Sequence, residues 1–408
     1  MRLSITLMLI FLFCFAPCVR AQEHPDSLKA EFLKELEKEI QDEKLAPFIP
    51  RLERALAAYP DDQLLWAFLG GARLRASGAD AANIPFVLPG EILAASAAFE
   101  KAWKLERTDT NTFQGFHPQP WLSLAWGSLA MHYYYLGAED SMRWAFKEGK
   151  NRGAFSAFEL ALTRAVVDAC GPNAILLHPN DNYFFSYFYM QEMDHYRKDV
   201  TVVFVDLLDT KWYPGMLYRR KKLDFSIDLG TIDTLDAIGW EETRFAIPYR
   251  PTGDTIAWSL PPTYENALLL RRHVILLDIL GTNEFRRPVY YHSLAEEVDL
   301  IGLYNHLQFE GLVYKLVPRI GAHNYSHQLE QSLQLTARLR RDITEDRIAA
   351  ENIRFQALRM SEYLLDEKKP EGKKLFEAVM KAFPESEFPM NMYIRNMHRS
   401  ISEKLPGK

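Results

Sequence analysis

The segment Asn173–Tyr213, NAILLHPNDNYFFSYFYMQEMDHYRKDVTVVFVDLLDTKWY, decides the fold. Its apolar run Ala174-Ile175-Leu176-Leu177 turns a polar corner, His178-Pro179-Asn180-Asp181-Asn182, into the aromatic segment Tyr183 to Tyr196, which is long enough for a helix. A second, β-branched run, Val200 to Val205, follows at once. Two strand-length runs around a helix-length segment predict a βαβ unit with parallel strands. The corner then sits at the carboxyl end of the first strand and Asp206 to Asp209 at the carboxyl end of the second, where open α/β sheets hold ligands.

Working outward, further strands are expected at Val289 to Tyr291 and Leu312 to Val317. A hairpin is expected from Arg244 to Pro248 and Thr255 to Leu260 around Pro251-Thr252-Gly253-Asp254. Helices are expected over Lys211 to Lys222, Tyr264 to Leu280 and Leu300 to Leu307. The sum is an α/β domain with a mostly parallel, Rossmann-like sheet carrying helices on both faces.

Toward the N-terminus the pattern is helical. Leu28, Phe32, Leu36 and Ile40 recur every fourth residue. Trp66-Ala67-Phe68-Leu69-Gly70 after Pro60, then Ala95-x3-Phe99, follows the offsets of a tetratricopeptide unit, in which small residues let paired helices approach and aromatics fill the gap. A plain helical bundle satisfies the same pattern. Beyond Ser326 the chain is helical again, divided at Lys369-Pro370-Glu371-Gly372.

Arg2, the apolar run Leu7 to Phe15 and Val19-Arg20-Ala21 read as a secretory signal cleaved near Ala21, with a periplasmic product. The expected organisation is a signal peptide over 1–21, a helical tetratricopeptide-like region over 22–165, the α/β domain over 166–322 and a helical region over 323–408. No membrane span is expected after signal removal. The whole chain carries a net charge of −6, and losing Arg2 and Arg20 takes it to −8. That balance speaks against nucleic acid and against an anionic membrane surface as the main partner. Cys14 and Cys18 leave with the signal, so Cys170 stays alone as an inert thiol.

Several blocks resemble one family. They are Asp181-Asn182, Gln191-Glu192, Asp199-Val200, Leu207-Leu208-x-Thr210-x-Trp212-Tyr213, Thr282-Asn283 with Arg287-Pro288-Val289-Tyr290, and Glu310-Gly311-Leu312-x-Tyr314-x-Leu316-Val317-Pro318. The family is the soluble, periplasm-facing C-terminal part of multispanning membrane proteins of Bacteroidetes-type bacteria, related to GT-C protein O-mannosyltransferases. In such transferases the sugar donor and the catalytic acid belong to the membrane half, which this chain lacks. The resemblance therefore implies a soluble module linked to envelope protein glycosylation, with a protein partner in the cell envelope and a glycan or glycopeptide as a further ligand.

The candidate binding residues are Asp181, Asn182, Tyr183, Asp206, Asp209, Trp212, Tyr213 and Asn283, expected along one rim of the sheet. Carboxylates and amides that bond hydroxyls, beside aromatic faces, suit a sugar. Helix capping by Asp181, Asn182 or Asp209, with the aromatics in the core, accounts for the same residues. No catalytic residue, cofactor or metal site is expected, since His178, His273 and His292 lack metal-ligand spacing and no nucleophile elbow or phosphate loop occurs. A carbohydrate-active enzyme using the edge carboxylates is the alternative.

Overall fold

The computed structural model describes residues 24–36, 45–106, 118–179, 184–292, 297–323, 325, 327–338 and 347–405. The signal-peptide expectation and the corner residues Asp181, Asn182 and Tyr183 lie outside them. The chain divides into two compact units, residues 1–79 with 88–121, and residues 80–87 with 122–408.

The first unit holds α1 (Pro25–Leu36), α2 (Ile49–Ala58), α3 (Gln63–Ala76) and α4 (Pro89–Glu106). Leu28, Phe32, Phe48, Leu52, Leu65 and Phe68 form its core, with the Phe32 and Phe68 rings stacked at 4.4 Å. Asp62 caps α3 by accepting from the Leu65 N–H at 3.1 Å. α3 and α4 pack along much of their length. The contact is close because residue 70 is glycine: a Cβ there would stand 2.6 Å from Phe99 Cδ1. The small residue and the aromatic singled out by the sequence pattern thus meet.

The second unit takes in most of α5 (Pro118–Tyr135), then α6 (Glu139–Asn151) and α7 (Ala157–Asp168). Next come β1 (Ile175–His178), α8 (Phe184–Glu192) and β2 (Thr201–Phe204), the βαβ unit read from the sequence. After it follow α9 (Trp212–Arg219), α10 (Leu229–Thr234), β3 (Ile238–Gly239), the hairpin β4 (Thr243–Tyr249) and β5 (Asp254–Leu260), β6 (Leu268–Leu269), α11 (Arg271–Asn283) and β7 (Val289–His292). β8 (Leu307–Phe309) and β9 (Val313–Leu316) complete the main sheet. Four helices close the unit: α12 (His327–Arg338), α13 (Arg347–Asp366), α14 (Glu371–Ala382) and α15 (Met392–Lys404).

The main sheet has the order β2-β1-β7-β9-β8. β1 pairs in parallel with β2, Ile175 opposite Thr201, and with β7, Ile175 opposite Val289. β7–β9 and β9–β8 are antiparallel. The sheet is therefore mixed, where the sequence predicted a mostly parallel, Rossmann-like one. Glu310-Gly311-Leu312 turns β8 directly into β9, with Gly311 at φ 92°, and a parallel return needs a crossover far longer than that. β1, β2 and β7 are buried along their whole length, as covered parallel strands are.

Two expected helices change. Leu300 to Leu307 forms 3-10 turns running into β8, and Tyr264 to Leu270 bridges and pairs with β3, so that α11 begins only at Arg271. Glu265 and Asn266 adopt φ of 49° and 55°, outside any right-handed helix. α5 and α8 touch at Gly127, where a Cβ would overlap the Phe185 ring. Among the described residues no helix is long and apolar enough to cross a membrane.

Candidate functional site

The carboxyl end of β2 runs into a 3-10 turn, Asp206–Asp209, whose shape is set from outside. Arg271, in the first turn of α11, is buried and spends its guanidinium on backbone oxygens. Nη1 donates to Leu208 O and, at 2.8 Å, to Thr210 O; Nη2 donates to Ile232 O at 2.8 Å and Nε to Leu235 O at 3.0 Å. Burial pushes its pKa down, and Asp209, then Asp233 and Asp236, partly oppose that shift.

The neighbouring residue holds the carboxylates. Arg272 Nη1 lies 3.1 Å from Asp209 Oδ2 and 3.5 Å from Asp206 Oδ1, and its Nε 3.2 Å from Asp299 Oδ1. Burial lowers the Arg272 pKa, but Asp299, Asp209 and Asp206 outweigh it and leave the group above its ordinary value. Asp209 Oδ1 also accepts the Arg272 backbone N–H at 2.8 Å, so this acid caps α11 from a distant turn. Two arginines, Arg271 and Arg272, in a first helical turn oppose the helix dipole, and the acids offset that repulsion.

His273 is fully buried and held on both nitrogens, Nδ1 2.8 Å from Thr263 Oγ1 and Nε2 3.1 Å from Asp299 Oδ1. One strand over, at the carboxyl ends of β1 and β7, the His178 and His292 rings lie 4.5 Å apart. Burial and then the neighbouring His178 hold the His292 pKa well below the usual imidazole range.

Of the residues expected at one rim, the structure brings Asp206 and Asp209 together, with side chains 42% and 37% exposed. Trp212 and Tyr213 are core residues. Trp212 Nε1 donates to Ala81 O at 3.0 Å, while the Tyr213 hydroxyl donates to Val202 O at 3.2 Å and accepts the Phe204 N–H at 3.1 Å. Neither ring offers a face to a ligand: both are buried against Phe184, and Tyr213 also meets Phe204. Asn283 lies at the opposite edge. α11 runs back from the Asp209 side, and Asn283 stands roughly 17 Å further along its axis than Arg272. There its amide donates to Arg287 O and accepts the Arg287 N–H, fixing the entry to β7. The single-rim expectation therefore fails for Asn283.

Sequence reading missed Arg271, Arg272, Thr263, His273 and Asp299 as parts of this edge. The arginine pair at a helix start was the available signal, since such a pair calls for carboxylates from elsewhere in the chain. Among the described residues no group of three or more His, Cys, Asp or Glu is placed to hold a metal ion, and Arg272 occupies the space between the acids.

A family model described as TMEM260-associated domain 2 matches residues 160–230 and 248–333, which take in the main sheet, the Asp206–Asp209 turn and α11. No curated protein and no solved structure matches the chain.

Proposed function

We propose that the chain is an exported, non-catalytic module of the periplasm that serves envelope protein glycosylation. Its helical parts hold a protein partner, and the carboxyl edge of β2 holds a glycan or glycopeptide. The match to a TMEM260-associated domain supports this reading, as do the blocks shared with soluble parts of O-mannosyltransferase-related membrane proteins.

The observation that carries the ligand half is that Asp206 and Asp209 are exposed yet fixed from behind. Arg271 grips the carbonyls of their turn and Arg272 grips their carboxylates. Acceptors already held in place lose little freedom when sugar hydroxyls donate to them. Trp212 and Tyr213 being core residues, recognition rests on these hydrogen bonds rather than on stacking. A glycan array probed with wild type and Asp206→Ala tests the proposal.

A second reading, a carbohydrate-active enzyme, draws on His273. A hydroxyl on one imidazole nitrogen and a carboxylate on the other is the connectivity that lets an imidazole move a proton. Under that reading aryl glycosides are turned over, and His273→Gln abolishes turnover while ligand binding persists. Absence of turnover by wild type removes it.

A further inference from the structure

Away from the sheet edge, the second unit exposes a group of apolar side chains beside a dense run of positive charge. The 3-10 segment Ala81–Phe86 is tied down twice: Trp212 Nε1 donates to Ala81 O at 3.0 Å, and His132 Nδ1 lies 2.9 Å from Ile84 O. Two residues on, Phe86 is 77% exposed. Leu136, one helical turn past His132, is 60% exposed, and Tyr135 beside it is exposed too. Exposed apolar groups clustered on an anchored backbone mark a contact surface.

The run Arg219-Arg220-Lys221-Lys222 at the end of α9 reaches this tip directly. Arg220 Nη2 donates to Tyr134 O at 3.2 Å, and its guanidinium lies 4.2 Å from the Tyr134 ring. The nearby acids are shared between this run and other cations. Asp140 pairs with Arg143 at 2.8 Å; Glu139 lies 3.5 Å from Arg143 and 3.9 Å from Arg220. Glu192 pairs with Lys198 at 2.9 Å and lies 3.9 Å from Lys222. Arg219 and Lys221 are exposed and have no ion pair among the described residues.

We propose that this tip docks on an anionic lipid surface, with Phe86, Tyr135 and Leu136 entering the headgroup layer and Arg219, Arg220 and Lys221 facing the lipid charges. Phe86 closes a 3-10 segment and Leu136 sits in the turn after α5, just before Gly137 at φ 76°, so these apolar groups come from turns, which suit insertion between headgroups. Basic side chains flanking such groups give the charge complementarity of a peripheral membrane contact. The chain's net charge of −6 does not prevent this. At physiological ionic strength charges act over roughly 8 Å, so the local cluster outweighs the distant acids.

The test is co-sedimentation of the chain from Gln22 onward with vesicles of phosphatidylcholine alone and of phosphatidylcholine mixed with phosphatidylglycerol. Binding is expected only to the mixed vesicles, and high salt should weaken it. Reversing Arg219 and Lys221 to Glu should cost at least about fivefold per residue in affinity. Phe86→Ser with Leu136→Ser should also weaken binding, without moving the melting temperature, since both side chains are exposed. No binding to mixed vesicles, equal binding to both kinds, or binding unchanged in both variants overturns the proposal. Self-association lost in the Phe86→Ser, Leu136→Ser variant without vesicle binding assigns the tip to a protein contact and overturns it equally.

Discussion

Asp209 and Arg272, sixty-three positions apart, are joined twice: Oδ1 accepts the Arg272 backbone N–H at 2.8 Å and Oδ2 lies 3.1 Å from its Nη1. One carboxylate thus caps α11 and neutralises a cation that the helix dipole disfavours. Losing a cap costs about 1 kcal/mol, and losing a charged partner at a half-buried site costs about as much again. Asp209→Ala should lower the unfolding free energy by about 2 kcal/mol in urea denaturation. Asp206→Ala, whose contact with Arg272 is longer at 3.5 Å, should cost less, about 1 kcal/mol or under. Equal effects at the two sites would contradict the capping role.

Glycines supply a matched pair. At Gly127 a Cβ would overlap the Phe185 ring, whereas at Gly281 a Cβ meets nothing within 4 Å. Gly127→Ala should destabilise by about 1–3 kcal/mol through overpacking. Gly281→Ala, in α11, should stabilise by roughly 0.5–1 kcal/mol through helix propensity. Thermal melts of the two variants check this, and shifts of the same sign would contradict the α5–α8 packing.

The pH dependence separates two kinds of group. His292 stays neutral in the fold, with its pKa held below the unfolded value. The unfolded chain takes up a proton that the folded one refuses, so stability is full above about pH 6.5 and falls as pH drops below it. Asp199, held at about 2 first by its bond to Arg197, and Glu367, held at about 2 first by the His323 N–H, act lower down. Their contribution is present above about pH 4 and is lost as pH falls toward 2. Urea midpoints between pH 5 and 7 should slope less in His292→Gln than in wild type, by up to about 1.4 kcal/mol per pH unit. Identical slopes would contradict the buried, neutral imidazole.

Cys170 is buried, and desolvation pushes its thiol pKa up despite the nearby Arg197. A thiol without thiolate character is inert. Ellman's reagent at pH 8 should react only at the rate of unfolding, and rapid native labelling would contradict the burial.

The parts of the fold legible in sequence were those fixed by local pattern. The βαβ unit followed from two apolar runs around an aromatic helix, and the hairpin from Pro251-Thr252-Gly253-Asp254. The mixed sheet was not legible, because a single turn at Gly311 sets the direction of β9 and no periodicity records it. At the carboxyl edge of β2, Asp206 and Asp209 are legible because they directly follow a strand. Arg272, His273 and Asp299 reach the same edge only through the packing of α11, and Asn283 was misplaced because that helix's direction was unread. Trp212 and Tyr213 show the limit of composition: the same rings suit a sugar or a core, and here burial decides for the core.

The most direct test of the account is glycan-array binding of wild type beside Asp206→Ala. The account predicts that wild type retains at least one glycan class and that Asp206→Ala loses it while still unfolding cooperatively in urea, at a midpoint above that of Asp209→Ala. No retained glycan for wild type, or equal retention by the variant, would contradict a ligand site at the carboxyl edge of β2.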